Sequence, residues 1–139
     1  MRLKLQLDDG AYALDRAHEL DAGWDIKTPK DFVIYPHDDV TIDTGVHIEI
    51  PGGYVGLLLP KSGLNIKKDT KGFGVIDAGY TGSIVVKLEN TGKDQHSFKA
   101  GDKIIQIVFI PIAKVEGFDQ VDEISGGERG DNGFGSTGR

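Results

Sequence analysis

The sequence predicts a mostly β protein, a sandwich or a barrel. Three observations carry that reading: apolar residues alternate with polar ones at period two, short apolar runs end in turn-forming residues, and glycine is abundant. There are 20 glycines in 139 residues, roughly twice the usual share of about 7%. Leu3, Leu5 and Leu7 alternate with Arg2, Lys4 and Gln6, and Val46, Ile48 and Ile50 with His47 and Glu49, the pattern of half-buried strands. Further apolar runs at Phe32 to Tyr35, Tyr54 to Leu59, Ile84 to Leu88 and Ile104 to Ile112 are bounded by Gly, Pro, Asp or Asn. One stretch alone reads as briefly helical. There Ser62 caps a short turn through Gly63, Leu64, Asn65 and Ile66, leaving backbone N–H groups beside Lys61 as an anion site.

With 38% apolar residues, the chain supports one compact core and is short for two full domains. Its 22 acidic and 16 basic residues give a net charge of −6, which argues against nucleic acid as a partner and requires any phosphate to be met locally. The absence of cysteine excludes a disulfide framework, a thiolate zinc site and a cysteine nucleophile. The segment Met1 to Gln6 lacks the apolar run of a signal peptide, and no apolar stretch of about 18 residues occurs, so the expected setting is the cytoplasm, without a membrane partner.

Four segments carry residues suited to chemistry. Pro60-Lys61-Ser62-Gly63-Leu64 follows a strand and offers a cation, a hydroxyl and backbone amides, the donors a phosphate needs; it also reads as an ordinary strand-to-turn junction. The segment from Gly74 to Gly82 reads first as a hairpin turning near Ala78-Gly79. Within it Asp77 can orient and deprotonate a water, and Tyr80 can pack flat against a sugar or base. Gln106 interrupts an apolar strand and must find a partner, either a neighbouring backbone group or a polar pocket. The tail from Arg129 to Gly138 sets one Arg, one Phe and a Ser-Thr pair among glycines. Arg129 can fork onto a terminal phosphate, Ser136 and Thr137 can donate hydroxyls, and Phe134 can stack on a flat ring. The four histidines are scattered without metal-ligand spacing, and Asp38-Asp39 reads as a solvated turn.

Together with Asp21-Ala22-Gly23-Trp24-Asp25-Ile26, these segments resemble, in order and spacing, the five signature motifs of the trimeric dUTP pyrophosphatase family, from about Asp21 to Gly138. The resemblance implies an all-β, jelly-roll-like distorted barrel over residues 1–125 and a flexible glycine-rich lid over residues 126–139. It implies a homotrimer whose active sites are shared between subunits, and hydrolysis of dUTP to dUMP and pyrophosphate. Asp77 matches the carboxylate that activates water and contacts the 3′-hydroxyl, and Tyr80 matches the ring under the deoxyribose. The backbone around Gly74, Val75 and Ile76 matches the part that reads the uracil edge. Lys61, Ser62, Gly63 and Gln106 match phosphate contacts. In the tail, Arg129, Ser136 and Thr137 match ligands of the outer phosphates, Phe134 the residue closing over the base, and Gly135 a further substrate contact. Mg²⁺ is implied as a cofactor held by the substrate phosphates and water rather than by a protein cage.

The sequence departs from the commonest family pattern at several positions. Lys61 stands where Arg is usual and supplies a point charge instead of a fork. Gly79 and Thr81 stand where Asp and Arg are frequent, Asn132 replaces a tail glycine, and Trp24 is bulky for the first motif. Two other readings compete: a dCTP deaminase on the same barrel, for which no Glu falls in a matching motif, and a trimer that acts by capturing a regulatory protein.

Overall fold

The computed structural model describes residues 1–133, so the tail residues Phe134, Gly135, Ser136 and Thr137 lie outside the described residues. Among the described residues the fold is all-β with one short helix. The strands are β1 (Lys4–Leu7), β2 (Gly23–Lys27), β3 (Phe32–Ile34), β4 (Asp39–Asp43), β5 (Val46–Glu49) and β6 (Tyr54–Leu59). After the helix α1 (Ser62–Lys68) come β7 (Thr70–Lys71), β8 (Gly74–Ile76), β9 (Val85–Asn90), β10 (His96–Phe98) and β11 (Lys103–Pro111).

Every pairing is antiparallel, and the strands form four sheets ordered β1-β5, β10-β3, β2-β11-β6-β8 and β4-β9-β7. They share one apolar core in which Ile26, Ile34, Ile42, Val86, Leu88 and Ile107 are almost fully buried. Period-two alternation is plain in β9, where Val86, Leu88 and Asn90 are buried while Val85, Lys87 and Glu89 face outward. Strand β11 is the spine, pairing with β2 on one side and β6 on the other. Its alternation fails where Ile104 and Ile105 are both buried, and a register shift between Lys103 and Ile105 accommodates the extra inward residue.

Three local expectations are corrected. Lys61, not Ser62, is the N-cap of α1; its backbone is extended (φ −77°, ψ 130°), no side chain caps the helix, and Ser62 is already in the first turn. The Gly74–Gly82 segment makes a turn but not a hairpin, because β8 pairs with β6 whereas β9 pairs with β4 and β7. The chain crosses between sheets there. Strand β4 also begins at Asp39, inside what reads as a turn; Val40 and Ile42 point inward behind a polar outer face of Asp39, Thr41 and Asp43. No helix among the described residues is long and apolar enough to cross a membrane.

Candidate active site

At the crossing of β2, β11 and β6 the three strands bring one set of site residues together. Asp25 lies opposite Gln106 in the β2–β11 ladder, and Gln106 lies opposite Leu59 in the β11–β6 ladder. The Gln106 amide nitrogen donates to the Pro60 carbonyl at 3.0 Å, so this amide satisfies a backbone group and fixes the start of the Pro60–Lys61 turn. Gly23 makes the room: a Cβ there would run into Gln106 Oε1.

Asp25 is buried, and a buried carboxylate needs partners. It finds two: the Lys61 ammonium on Oδ1, and Lys103 Nζ at 3.1 Å on Oδ2. Beside this pair Lys27 donates to Asp15 at 2.8 Å, and Asp15 takes its backbone place against Asp25 through the Asp25 N–H at 2.7 Å. Hydrogen bonding to Asp25, then its charge, holds the Lys103 ammonium above its ordinary pKa; the Lys27 hydrogen bond holds the Asp15 carboxyl below its own. Three lysines share two aspartates, which leaves one positive charge over in an acidic protein. Above Lys61 the first-turn N–H groups of Ser62, Gly63 and Leu64 precede the first intrahelical bond, Asn65 N–H to Lys61 O at 2.9 Å. A cation, a hydroxyl and helix-start amides therefore follow one another at Lys61–Leu64, donor types suited to a phosphate, with the Lys61 ammonium directed onto Asp25.

A second set surrounds the turn after β8. This strand is the outer member of its sheet, so one row of its backbone groups has no strand beside it among the described residues. Val75 faces out and Ile76 faces the core. The turn closes with Tyr80 N–H donating to Asp77 O at 3.2 Å, and Gly79 takes a φ of +88°, a conformation that suits glycine at this position and disfavours a side chain. Asp77 is exposed. Tyr80, 46% exposed, donates its hydroxyl to Ser83 O at 2.7 Å and lays its ring against Gly82, where a Cβ would fall 2.7 Å from Tyr80 Cζ. Ser83 is itself held by Asp43 and by Gly45 N–H at 3.0 Å.

The two sets lie apart within one chain. Gly74 pairs with Leu58 and Ile76 with Gly56, so Asp77 continues away from Lys61 along the antiparallel ladder. At strand rise the separation is about 15 to 20 Å. Arg129 stands elsewhere again, in an exposed irregular segment, with its guanidinium donating to Gly133 O at 2.9 Å. Among the described residues no group of three or more His, Asp or Glu side chains is placed to hold a metal ion.

Comparison with known proteins decides the family: a dUTPase sequence model matches residues 9–138. The chain belongs to the dUTPase family. Over 134 residues it is 40% identical to the deoxyuridine 5′-triphosphate nucleotidohydrolase of Tropheryma whipplei strain Twist, covering 94% of this chain and 91% of that protein. The Mus musculus deoxyuridine 5′-triphosphate nucleotidohydrolase is 35% identical, covering 97% and 83%. A mutant dUTPase of Staphylococcus bacteriophage 80alpha, solved with dUpNHpp, superposes with a TM-score of 0.92 at 31% identity over 99% of both chains. A mutant dUTPase from phage phi11 of S. aureus, described as coordinating a structural Mg(II) ion, has a TM-score of 0.82 at 30% identity over 88% of this chain and 98% of that one. The four sheets around one core are thus this dUTPase's version of the all-β jelly-roll.

Several contributors to this candidate site have no visible role in the sequence. Asp25 stands in a motif that does not mark it as the anchor of Lys61, and nothing in the sequence marks Gly23 and Gly82 as the space for Gln106 and Tyr80. Their signal is a glycine inside or beside a β segment next to a large polar partner, which acquires meaning only once register is known.

Proposed function

We infer that the chain is a dUTP diphosphatase: it hydrolyses dUTP to dUMP and pyrophosphate, limiting uracil incorporation into DNA and supplying dUMP for dTMP synthesis. The observation that carries this reading is the exposed turn behind an unpaired strand edge, which presents Asp77 and Tyr80 together beside backbone groups free to read a base. In the proposed mechanism the backbone of Gly74, Val75 and Ile76 reads the uracil edge. Tyr80 packs under the deoxyribose and leaves no room for a 2′-hydroxyl. Asp77 holds and deprotonates a water for in-line attack on the α-phosphorus, so positioning and charge neutralisation supply most of the rate. Lys61 has further ammonium protons and Gln106 a second amide N–H to offer phosphate oxygens, alongside Ser62 and the Gly63 amide. Mg²⁺, when bound, would neutralise charge on the triphosphate that chelates it; the Asp15 and Asp25 carboxylates are already paired with lysines, so the substrate's own oxygens would hold the metal.

The active unit is a homotrimer with shared sites. The separation of Asp77 from Lys61 within one chain supports this, as does the segment after β11. There Ile112, Val115, Phe118, Val121 and Ile124 recur at every third position and stay exposed, Phe118 at 95% and Ile124 at 90%, as expected of a strap laid on another subunit. Residues 1–125 form the body and 126–139 the lid, with Arg129, Gly135, Ser136 and Thr137 clamping the outer phosphates and Phe134 closing over uracil. The enzyme acts in the cytoplasm on free nucleotide, with no nucleic-acid or membrane partner.

The test is a product assay with dUTP, dCTP, dTTP and UTP, each with and without Mg²⁺. The expected products are dUMP and pyrophosphate from dUTP, with Mg²⁺ raising the rate. Ammonia from dCTP with no dUMP from dUTP would replace this reading with a deaminase. Truncation before Arg129 is expected to keep the body folded and nearly abolish turnover; wild-type rates would remove the lid.

A further inference from the structure

We propose that His47 is a positioning residue for the turn that carries Asp77 and Tyr80, and that it acts as the imidazolium. The proposal deepens the reading of the site given above and rests on it. His47 lies on β5 opposite Gln6 of β1. Its Nδ1 is 2.7 Å from the Thr81 carbonyl oxygen and its Nε2 is 3.0 Å from Asp8 Oδ1, just beyond β1. Both partners accept hydrogen bonds. A neutral imidazole carries one N–H and satisfies one of them while turning a lone pair on the other; the imidazolium donates to both. The ring therefore staples the β1-β5 sheet to the residue that follows Tyr80.

The surroundings favour the charged form. Asp8 faces the ring from the end of β1, and Asp43 adds its charge from the end of β4. Lys4 and Glu49, which line the same shallow cavity with His47 and Thr81, pair with each other at 3.3 Å. The Thr81 carbonyl first, and Asp8 second, hold His47 above its ordinary pKa. A raised histidine contributes fully below its unfolded value and loses the contribution as pH rises through the folded one, so the staple is tight in mild acid and slackens toward alkaline pH. It grips Thr81 by the backbone, so the departure from Arg at that position leaves the grip intact. On either side of Thr81 the chain is also held by the Tyr80 hydroxyl, which donates to Ser83 O at 2.7 Å.

The test follows wild type, His47→Ala and His47→Gln from about pH 5.5 to about pH 9, bracketing the ordinary histidine value. The wild-type kcat/KM for dUTP is expected to exceed that of His47→Ala by about 3- to 10-fold at the acid end, the range one hydrogen bond spans, and to approach it at the alkaline end. His47→Gln, whose amide donates at every pH, is expected to keep a constant ratio to His47→Ala, below wild type at the acid end and no longer below it at the alkaline end. A ratio that stays flat across the range overturns the proposal. NMR of the intact protein supplies a reading free of turnover: the His47 C2–H titration is expected to fall in pH on Asp8→Asn, and the Thr81 and Gly82 amide signals to follow the same midpoint. Amide signals that ignore that midpoint overturn the positioning role even in an active enzyme. A wild type that hydrolyses no dUTP at any pH overturns the reading of the site, and the positioning claim with it.

Discussion

Asp25 and Gln106 face each other across the β2–β11 ladder, and each holds one part of the same turn: Asp25 the Lys61 ammonium, Gln106 the Pro60 carbonyl. Lys61, proposed above as a phosphate contact, and the turn that carries it are thereby held from two sides by neighbours on one sheet. An Asp25→Asn substitution keeps the shape but leaves Lys61 and Lys103 without their shared counter-charge. Breaking a fully buried pair costs about 3 to 5 kcal/mol, and because both lysines remain partly in water the expected loss is nearer 2 kcal/mol. Urea unfolding measures it. With Lys61 released, KM for dUTP is expected to rise by more than kcat falls; an unchanged KM would remove Asp25 from this role.

Gly82 gives the Tyr80 ring its resting place, and Gly82→Ala puts a methyl 2.7 Å from Tyr80 Cζ. Since the ring is half-exposed and can swing away, the stability change is expected to stay within about 1 kcal/mol. Selectivity is a different matter. Displacing the ring opens space below the sugar, so the ratio of kcat/KM for dUTP over UTP is expected to fall by about 10-fold, the scale of one lost steric contact. Steady-state kinetics with both nucleotides checks this.

The fold class was legible because Leu3 to Leu7, Val46 to Ile50 and Tyr54 to Leu59 advertise their strands through patterning alone. Strand β4 was not, because Asp38-Asp39 carries a stronger turn signal than Val40 and Ile42 carry a strand signal. Asp77 and Tyr80 stand out in the sequence as candidates; the way they are held does not. Register decides that Ser83 reaches Asp43 and that His47 reaches Thr81, contacts 40 and 34 residues apart in the chain, and register follows from tertiary packing.

The Asp43 carboxylate supplies a pH prediction of opposite sign to that of His47. The Ser83 hydroxyl first, then the Gly45 amide, hold Asp43 below its ordinary value of 3.8. A depressed carboxylate stabilises the fold above its unfolded pKa, and the contribution is lost as pH falls through the folded one. Ser83→Ala removes the larger cause. Urea unfolding is therefore expected to show the variant less stable than wild type near neutral pH, with the gap closing as pH falls below the ordinary aspartate range. A gap independent of pH would mean that Ser83 acts through packing rather than through Asp43.

The Leu58–Gly74 pairing sends Asp77 and Lys61 in opposite directions along β6 and β8, and subunit mixing tests whether the two meet between chains. Asp77→Asn alone is expected to lower kcat by about 10²- to 10⁴-fold, the scale of a positioned base, with nucleotide binding largely kept. Lys61→Ala is expected to weaken phosphate binding without touching the turn. When the two impaired variants are co-expressed in equal amounts and assayed at a dUTP concentration that leaves Lys61→Ala unsaturated, a trimer with shared sites pairs an intact Asp77 from one chain with an intact Lys61 from the next. Random assortment makes about one site in four intact. Activity is therefore expected to recover to roughly a quarter of wild type, whereas a site contained in one chain gives no more than the two variants give apart, because every chain then carries a lesion. Size-exclusion chromatography with light scattering on the same mixture checks that the recovered activity travels with the trimer.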